Sequence, residues 1–169
     1  MTKVRHISQD KREHQSLNAN SDVAKSLQTL LDKTYACYLI THNYHFNVTG
    51  ENFYTIHTLL EDQYNSLFTA IDEIGERART LGEPVQILSS RYLDEISEAS
   101  SRALNPKNMS PCQAMLKDLI IFNTECVEAC QNTKNIAADC GDDETEDLAI
   151  GRIRAHEKMI WMLRSSVSP

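Results

Sequence analysis

Glycine and proline are scarce in this chain: five and four among 169 residues. So little backbone punctuation leaves few turns and favours long helices. Apolar runs are short. None approaches the roughly 18 residues of a membrane span, and the N-terminus has no apolar leader segment, so neither membrane insertion nor export is expected. The five cysteines, Cys37, Cys112, Cys126, Cys130 and Cys140, are odd in number and lack framework spacing. That excludes a disulfide scaffold and fits reduced thiols in a cytoplasm. Cys126 and Cys130 stand one helical turn apart, a spacing open to a soft metal. No second pair sits near them, and small buried side chains explain them more simply.

What is present is a body large enough for a core. Hydrophobic residues make up 41% and charged residues 24%, the balance of a single soluble globular domain. The net charge of −7 is unevenly placed. Residues 1–21 hold Lys3, Arg5, Lys11 and Arg12 against Asp10 and Glu13, so the acidity lies in the rest of the chain. An acidic body suits cations and does not by itself attract nucleic acid.

Residues 1–20 are polar without an apolar period and read as a flexible tail; residues 21–169 read as the folded domain. A first helix, capped by Asn20 or Ser21, is expected to about Asn47, with a stripe through Leu27, Leu30, Leu31, Tyr35, Tyr38 and Leu39. Gly50 breaks the chain, and Asn52 can cap a second helix to about Leu81. Its stripe alternates steps of three and four: Phe53, Ile56, Leu60, Tyr64, Leu67, Ile71, Ile74, Ala78. A long connection over 82–109 has room for a short helix at Ser90–Ala99. Ser110-Pro111 opens a third long helix that Gly141 ends. A fourth begins near Asp142 and carries Ala149, Ile153, His156, Ile160 and Leu163. Four long amphipathic helices with tight first and last joins and a long central one make an all-α, ferritin-like four-helix bundle with one crossover.

The second helix has another face. With His57 at angle zero and about 100° per residue, Glu61 falls near 40°, Asp72 near 60° and Glu76 near 100°. The apolar stripe lies roughly between −100° and −20°, beside these residues. His45, at the end of the first helix, is expected to approach His57 across the Gly50 turn. His57 and Asp72 are about 22 Å apart along the helix, so one chain cannot wrap one metal with both. An antiparallel second copy about a two-fold axis would bring the Asp72/Glu76 end of one helix to the His45/His57 end of the other. Two imidazoles with two or three carboxylates suit iron that must change oxidation state.

The stretch HNYHFNVTGENFYTIHTLLEDQYNSLFTAIDEIGERA, residues 42–78, resembles the signature of the Dps family, the mini-ferritins named for DNA protection during starvation. The order of helices and HEKMIWMLRS near the end also fit, and the resemblance covers about residues 22–166. It implies a ferroxidase and iron-storage cage of twelve identical subunits in the cytoplasm, or associated with the nucleoid. Fe²⁺ and hydrogen peroxide would be its substrates. Position by position, it implies that His45 and His57 bind iron, that the neighbouring subunit gives Asp72 and Glu76, and that Glu61 assists a second iron. Each inter-subunit site would then take two irons, with Zn²⁺ as a substitute. Phe46 departs from the pattern, where a Trp is usual. It keeps the packing and loses the indole N–H and an easily oxidised ring.

Other residues carry plainer readings. His42 matches the motif without being a family ligand and is expected to support the site structurally. His156 lies in the apolar stripe of the fourth helix, where packing explains it. Glu73 and Arg77, four apart, suit an ion pair. The run GDDETED, residues 141–147, complements a helix start. The resemblance adds that Asp143 and Asp147, with Asp139 a weaker candidate, line a pore admitting Fe²⁺. A second function class is a nucleoid-compacting protein. Here it would rest on weak DNA contacts through residues 1–20, multiplied by twelve tails. A purely structural bundle would leave the acid–histidine face without a use.

Overall fold

The computed structural model turns the apolar stripes into five helices among the described residues: α1 (Thr2–Asn47), α2 (Phe53–Thr80), α3 (Ser90–Leu104), α4 (Pro111–Cys140) and α5 (Asp143–Val167). The structure describes residues 2–87, 90–104, 106 and 109–167, without the side chains of 2–18, 90–92 and 95. The four long helices form the expected ferritin-like bundle, and α3 is the short helix of the crossover. It runs five residues past the expected Ala99, to Leu104. The expected division near residue 20 falls inside α1, whose helical backbone begins at Thr2.

Local chemistry sets the helix ends. Ser110 accepts from the Gln113 backbone N–H while the Gln113 side chain accepts from the Ser110 N–H, a reciprocal cap with Pro111 in the first turn. Gly141 ends α4 in the left-handed region at φ 72°, which a side chain resists. Gly50 makes the α1–α2 turn at φ 114°. Asn52 occupies the cap position of α2 but its side chain makes no cap hydrogen bond, unlike the sequence expectation. The Asn52 carbonyl still receives the Ile56 N–H at 3.0 Å.

The core has two parts. One gathers Cys37, Ile40, Tyr44, Ile56, Leu60, Met115, Leu119 and Leu163, closed by Ala99 and Ala103 of α3. The other gathers Leu27, Leu30, Leu31, Ile71, Ile74, Ala78 and Cys130. Cys126 and Cys130 are buried thiols, one in each part of the core; burial pushes Cys130 up to about 12. Among the described residues no helix is long and apolar enough to cross a membrane.

Two carboxylates tie the ends of the bundle. Asp118 of α4 is 5% exposed. It accepts from the Tyr44 hydroxyl at 3.0 Å and from the Arg102 guanidinium at 2.7 Å, locking α1 and α3 to α4. At the other end Arg77 of α2 donates to Asp142 at 2.6 Å and to the Thr145 hydroxyl at 2.8 Å. The expected Glu73–Arg77 pair is therefore replaced by a link from α2 to the α4–α5 corner. Asp142 also caps α5, accepting from the Thr145 N–H at 3.0 Å.

Burial alone would raise the Asp142 carboxyl. The hydrogen bonds from Arg77 and Thr145 more than offset it and hold the group below its ordinary 3.8. A carboxyl depressed in the folded state contributes stability above its unfolded pKa and loses it as pH falls through the folded value. Asp142→Asn is expected to lower stability at pH 7 by about 2 kcal/mol in urea unfolding. The gap between parent and variant should close below about pH 4. A gap unchanged at pH 3 would show that the charge of Asp142 contributes nothing.

Candidate metal centre

The last turn of α1 and the first turn of α2 meet across Gly50, and they meet through histidine. His45 Nδ1 lies 3.0 Å from the His57 carbonyl oxygen. His57 Nδ1 lies 2.9 Å from the His45 carbonyl oxygen. A carbonyl only accepts, so each Nδ1 carries the proton and donates it. In the neutral ring this leaves the Nε2 lone pair of both residues free for a cation. The rings stack with centroids 3.7 Å apart and planes 22° apart. His45 is 7% exposed and His57 half-buried, so the pair sits at the floor of a shallow surface and not in the core.

Aromatic rings frame the pair. Phe53 stands 5.0 Å from His57, Phe46 5.5 Å from His45, and Tyr64 5.1 Å from His45. His42 is half-buried and lies between Phe46 and Tyr64, 4.6 Å from each ring. It packs against both rings. The three-and-four period places Phe53 and Tyr64 in the apolar stripe. Phe53 instead is 44% exposed and flanks the histidines. Both face the site because they lie on the same side of α2 as His57, at four residues before and seven after it.

The carboxylates are not assembled around these rings. Glu61 lies one turn beyond His57, and Asp72 and Glu76 lie near the other end of the continuous helix α2. All three are exposed. Among the described residues no group of three or more His, Cys, Asp and Glu side chains comes together to hold a metal ion. Asp72 and Glu76 instead line a separate cleft of about 230 Å³ with Tyr35, Arg79, Val85 and Ile87. Arg77, next to Glu76 in sequence, is turned away toward Asp142 and leaves that acid face without its charge.

The remaining histidine of interest has a structural use. His156 is 1% exposed. Asn123 donates through Nδ2 to the Leu119 carbonyl, so its Oδ1 accepts from His156 Nδ1 at 2.9 Å. His156 Nε2 then faces Arg152 at 3.4 Å. Burial first, and Arg152 second, push this imidazole down to about 3, so it packs as a neutral ring. Asp139, Asp143 and Asp147 are exposed around the α4–α5 corner, and Asp143 lies in the first turn of α5, complementing its dipole.

Known proteins share this fold. The family model for the ferritin-like domain matches residues 24–168. DNA protection during starvation protein 2 of Bacillus anthracis is 33% identical over 124 residues, covering 73% of this chain and 82% of that protein. The crystal structure of Dps from Staphylococcus aureus is 28% identical with a TM-score of 0.72, covering 88% of this chain and 97% of that one. The Dps protein of Vibrio cholerae O1, described as a member of a broad superfamily of ferritin-like diiron-carboxylate proteins, is 25% identical with a TM-score of 0.75 over 90% of this chain and 92% of that one. The bundle with its α3 crossover and the match over nearly the whole folded region make this chain a member of the ferritin-like family, among the Dps proteins.

Proposed function

We propose that this chain is a ferroxidase and iron-storing subunit that works as part of a hollow dodecamer. One observation carries the reading. The α1–α2 turn pins His45 of α1 against His57 near the start of α2, with both Nδ1 atoms engaged, and the same rigid α2 carries the exposed carboxylates Asp72 and Glu76 toward its other end. Two such helices, antiparallel about a two-fold axis, give two equivalent sites. Each has His45 and His57 from one chain and Asp72 and Glu76 from its partner, with Glu61 assisting a second iron. Mixed imidazole and carboxylate ligation accepts Fe²⁺ and favours the harder Fe³⁺ product. Iron, and not zinc, is the metal proposed.

The chemistry is a two-electron reduction of peroxide: 2 Fe²⁺ + H₂O₂ + 2 H⁺ → 2 Fe³⁺ + 2 H₂O. Supplying both electrons together avoids release of hydroxyl radical. The Fe³⁺ hydrolyses and mineralises in the cage, which protects DNA by removing both reagents of radical formation. The Nδ1 hydrogen bonds keep the rings in one tautomer through this cycle, so no reorientation accompanies the change in iron charge. DNA contact through residues 1–20 is a secondary role in this reading.

The shared site is tested by mixing. His57→Ala and Asp72→Ala should each abolish fast ferroxidation, since each removes a ligand from both sites of a dimer. In a mixed pair one site has every ligand and the other lacks two. Random pairing makes about half of all dimers mixed, so roughly a quarter of the parent amplitude should return. Mixed assemblies, verified by mass spectrometry, that stay as inactive as either variant would sink the shared site.

The pore reading of Asp143 and Asp147 has its own test. Replacing both with Asn should slow iron uptake at low ionic strength while leaving the oxidation site intact, because the local Fe²⁺ concentration falls. The effect should shrink as salt rises. Uptake at the parent's rate in low salt would make these acids helix-start residues only.

DNA binding is expected to be weak and steeply salt-dependent, since the cations of the first 21 residues are few and partly cancelled. Gel shifts with Lys3, Arg5, Lys11 and Arg12 changed to Gln should lose what binding there is. Tight binding retained by that variant near physiological salt would place the DNA contact elsewhere.

A further inference from the structure

The middle of the bundle is not uniformly apolar. Cys37 of α1 and Cys126 of α4 are both fully buried in the same part of the core. Cys126 Sγ lies 3.5 Å from the Lys33 carbonyl oxygen, the oxygen that receives the Cys37 N–H within α1. The Cys126 thiol therefore sits on the turn that carries Cys37, and the two thiols hydrogen-bond each other. On α5, the bond from His156 to Asn123 at 2.9 Å sets the register against α4. The two helices are antiparallel, so Arg152, one turn before His156, falls opposite the α4 turn that follows Asn123 and holds Cys126.

Arg152 is half-buried. Its guanidinium reaches His156 Nε2 at 3.4 Å, and that ring is neutral. It makes no ion pair among the described residues, and its buried Nε has no hydrogen-bond partner among them. A cation withdrawn from water calls for an anion. The acidic groups it acts on here are thiols. The hydrogen bond with Cys37, then burial, hold the Cys126 thiol well above its ordinary value, and Arg152 pulls it the other way. The thiols are neutral as they stand, so the charge of Arg152 is unanswered.

We propose that Cys37 and Cys126 form a two-coordinate site for a soft monovalent metal ion, Cu(I), with Arg152 as counter-ion of the complex. Binding is a proton exchange: Cu⁺ + Cys37–SH + Cys126–SH → [Cys37–S–Cu–S–Cys126]⁻ + 2 H⁺. Two S–H bonds break, two Cu–S bonds form, and nothing is oxidised. The complex carries one negative charge and the guanidinium beside it one positive charge. Ligand number selects the metal. Among the described residues no group of three or more His, Cys, Asp and Glu side chains is assembled. Zinc asks for four ligands, whereas Cu(I) is a soft ion that thiolates select and that two of them satisfy. A disulfide is the other product open to adjacent thiols. It is neutral and leaves Arg152 unanswered, so the charge favours the metal.

The way in lies between α1 and α4, where Lys33 pairs with Glu125 at 2.7 Å, one turn before Cys37 and next to Cys126. Cu(I), like Fe²⁺, gives peroxide a single electron and releases hydroxyl radical. Held by two sulfurs in a dry core, it is out of peroxide's reach. The site uses none of the proposed iron ligands and stands apart from the ferroxidase reading.

The test uses the full-length assembly with Cys112 and Cys140, the two partly exposed thiols, changed to Ser. Cu(I) is titrated anaerobically against the chelator bathocuproine disulfonate, and the bound metal is examined by X-ray absorption. One Cu(I) per chain should resist the chelator, with two sulfur neighbours and no nitrogen. Cys37→Ala and Cys126→Ala should each lose it, whereas Cys130→Ala should keep it. Arg152→Gln should weaken the affinity roughly tenfold or more, through loss of the counter-charge. Size-exclusion chromatography and circular dichroism check folding and assembly; where an alanine variant does not assemble, the sulfur count in the parent background still decides. Copper wholly removed by the chelator, copper bound through nitrogen, copper retained by Cys37→Ala, or a Cys37–Cys126 disulfide formed in its place would overturn the site. Unchanged affinity in Arg152→Gln would overturn the counter-ion role. None of these outcomes bears on iron oxidation.

Discussion

Helix α2 cannot fold back on itself. Its 28 residues run without a break, and a rise of about 1.5 Å per residue holds His57 and Asp72 roughly 22 Å apart. Everything proposed for the site depends on that stiffness. A loop could have wrapped its carboxylates around the histidines and closed a centre within one chain. A helix keeps donors of different kind at opposite ends, so the proposed ligand set is completed only by a neighbour. The stiffness itself comes from packing. Ile56, Leu60, Leu67, Ile71, Ile74 and Ala78 are buried along its whole length, and each end is tied to another element, by the histidine pair at one and Arg77 at the other.

The polar groups divide by the same logic. Asp118 and Asp142, which face the bundle, have partners that neutralise or hydrogen-bond them. Glu61, Asp72 and Glu76, which face outward, are exposed and make no ion pair among the described residues. A carboxylate taken out of water needs a partner, and one left in water keeps its hydration until a cation replaces it. Gln63 departs from this rule: it is fully buried with neither amide atom hydrogen-bonded among the described residues.

Sequence periodicity made the bundle legible because α2 and α4 follow it closely, and because Ser110 and Gly141 use local chemistry that needs no tertiary knowledge. The approach of His45 to His57 was readable from the short Gly50 turn. The reciprocal use of backbone carbonyls was not, because it depends on the exact angle at which α1 meets α2. Arg77 misled for a similar reason: an i,i+4 acid is always nearby in a helix, while the Asp142 partner is brought 65 residues along the chain by the bundle corner. Phe53 and Tyr64 satisfied the apolar period and still point to the site, since the period places a residue on a face to within a few tens of degrees and both lie at its edge. The carboxylate ends were legible as residues, and their meeting is a question between chains that no single-chain pattern answers.

The crossed hydrogen bonds at the Gly50 turn make each histidine the custodian of the other. Neither ring is oriented by its own helix; each is held by the carbonyl of the opposite one. A slip of α1 against α2 by a single residue breaks both bonds in one movement and turns both lone pairs away together. The binding feature is thus all-or-none with respect to helix register. A nascent or damaged chain in which the two helices have not docked presents two loose imidazoles and no preset chelate. On the proposed function, iron would then be gathered only where the fold around it is already complete.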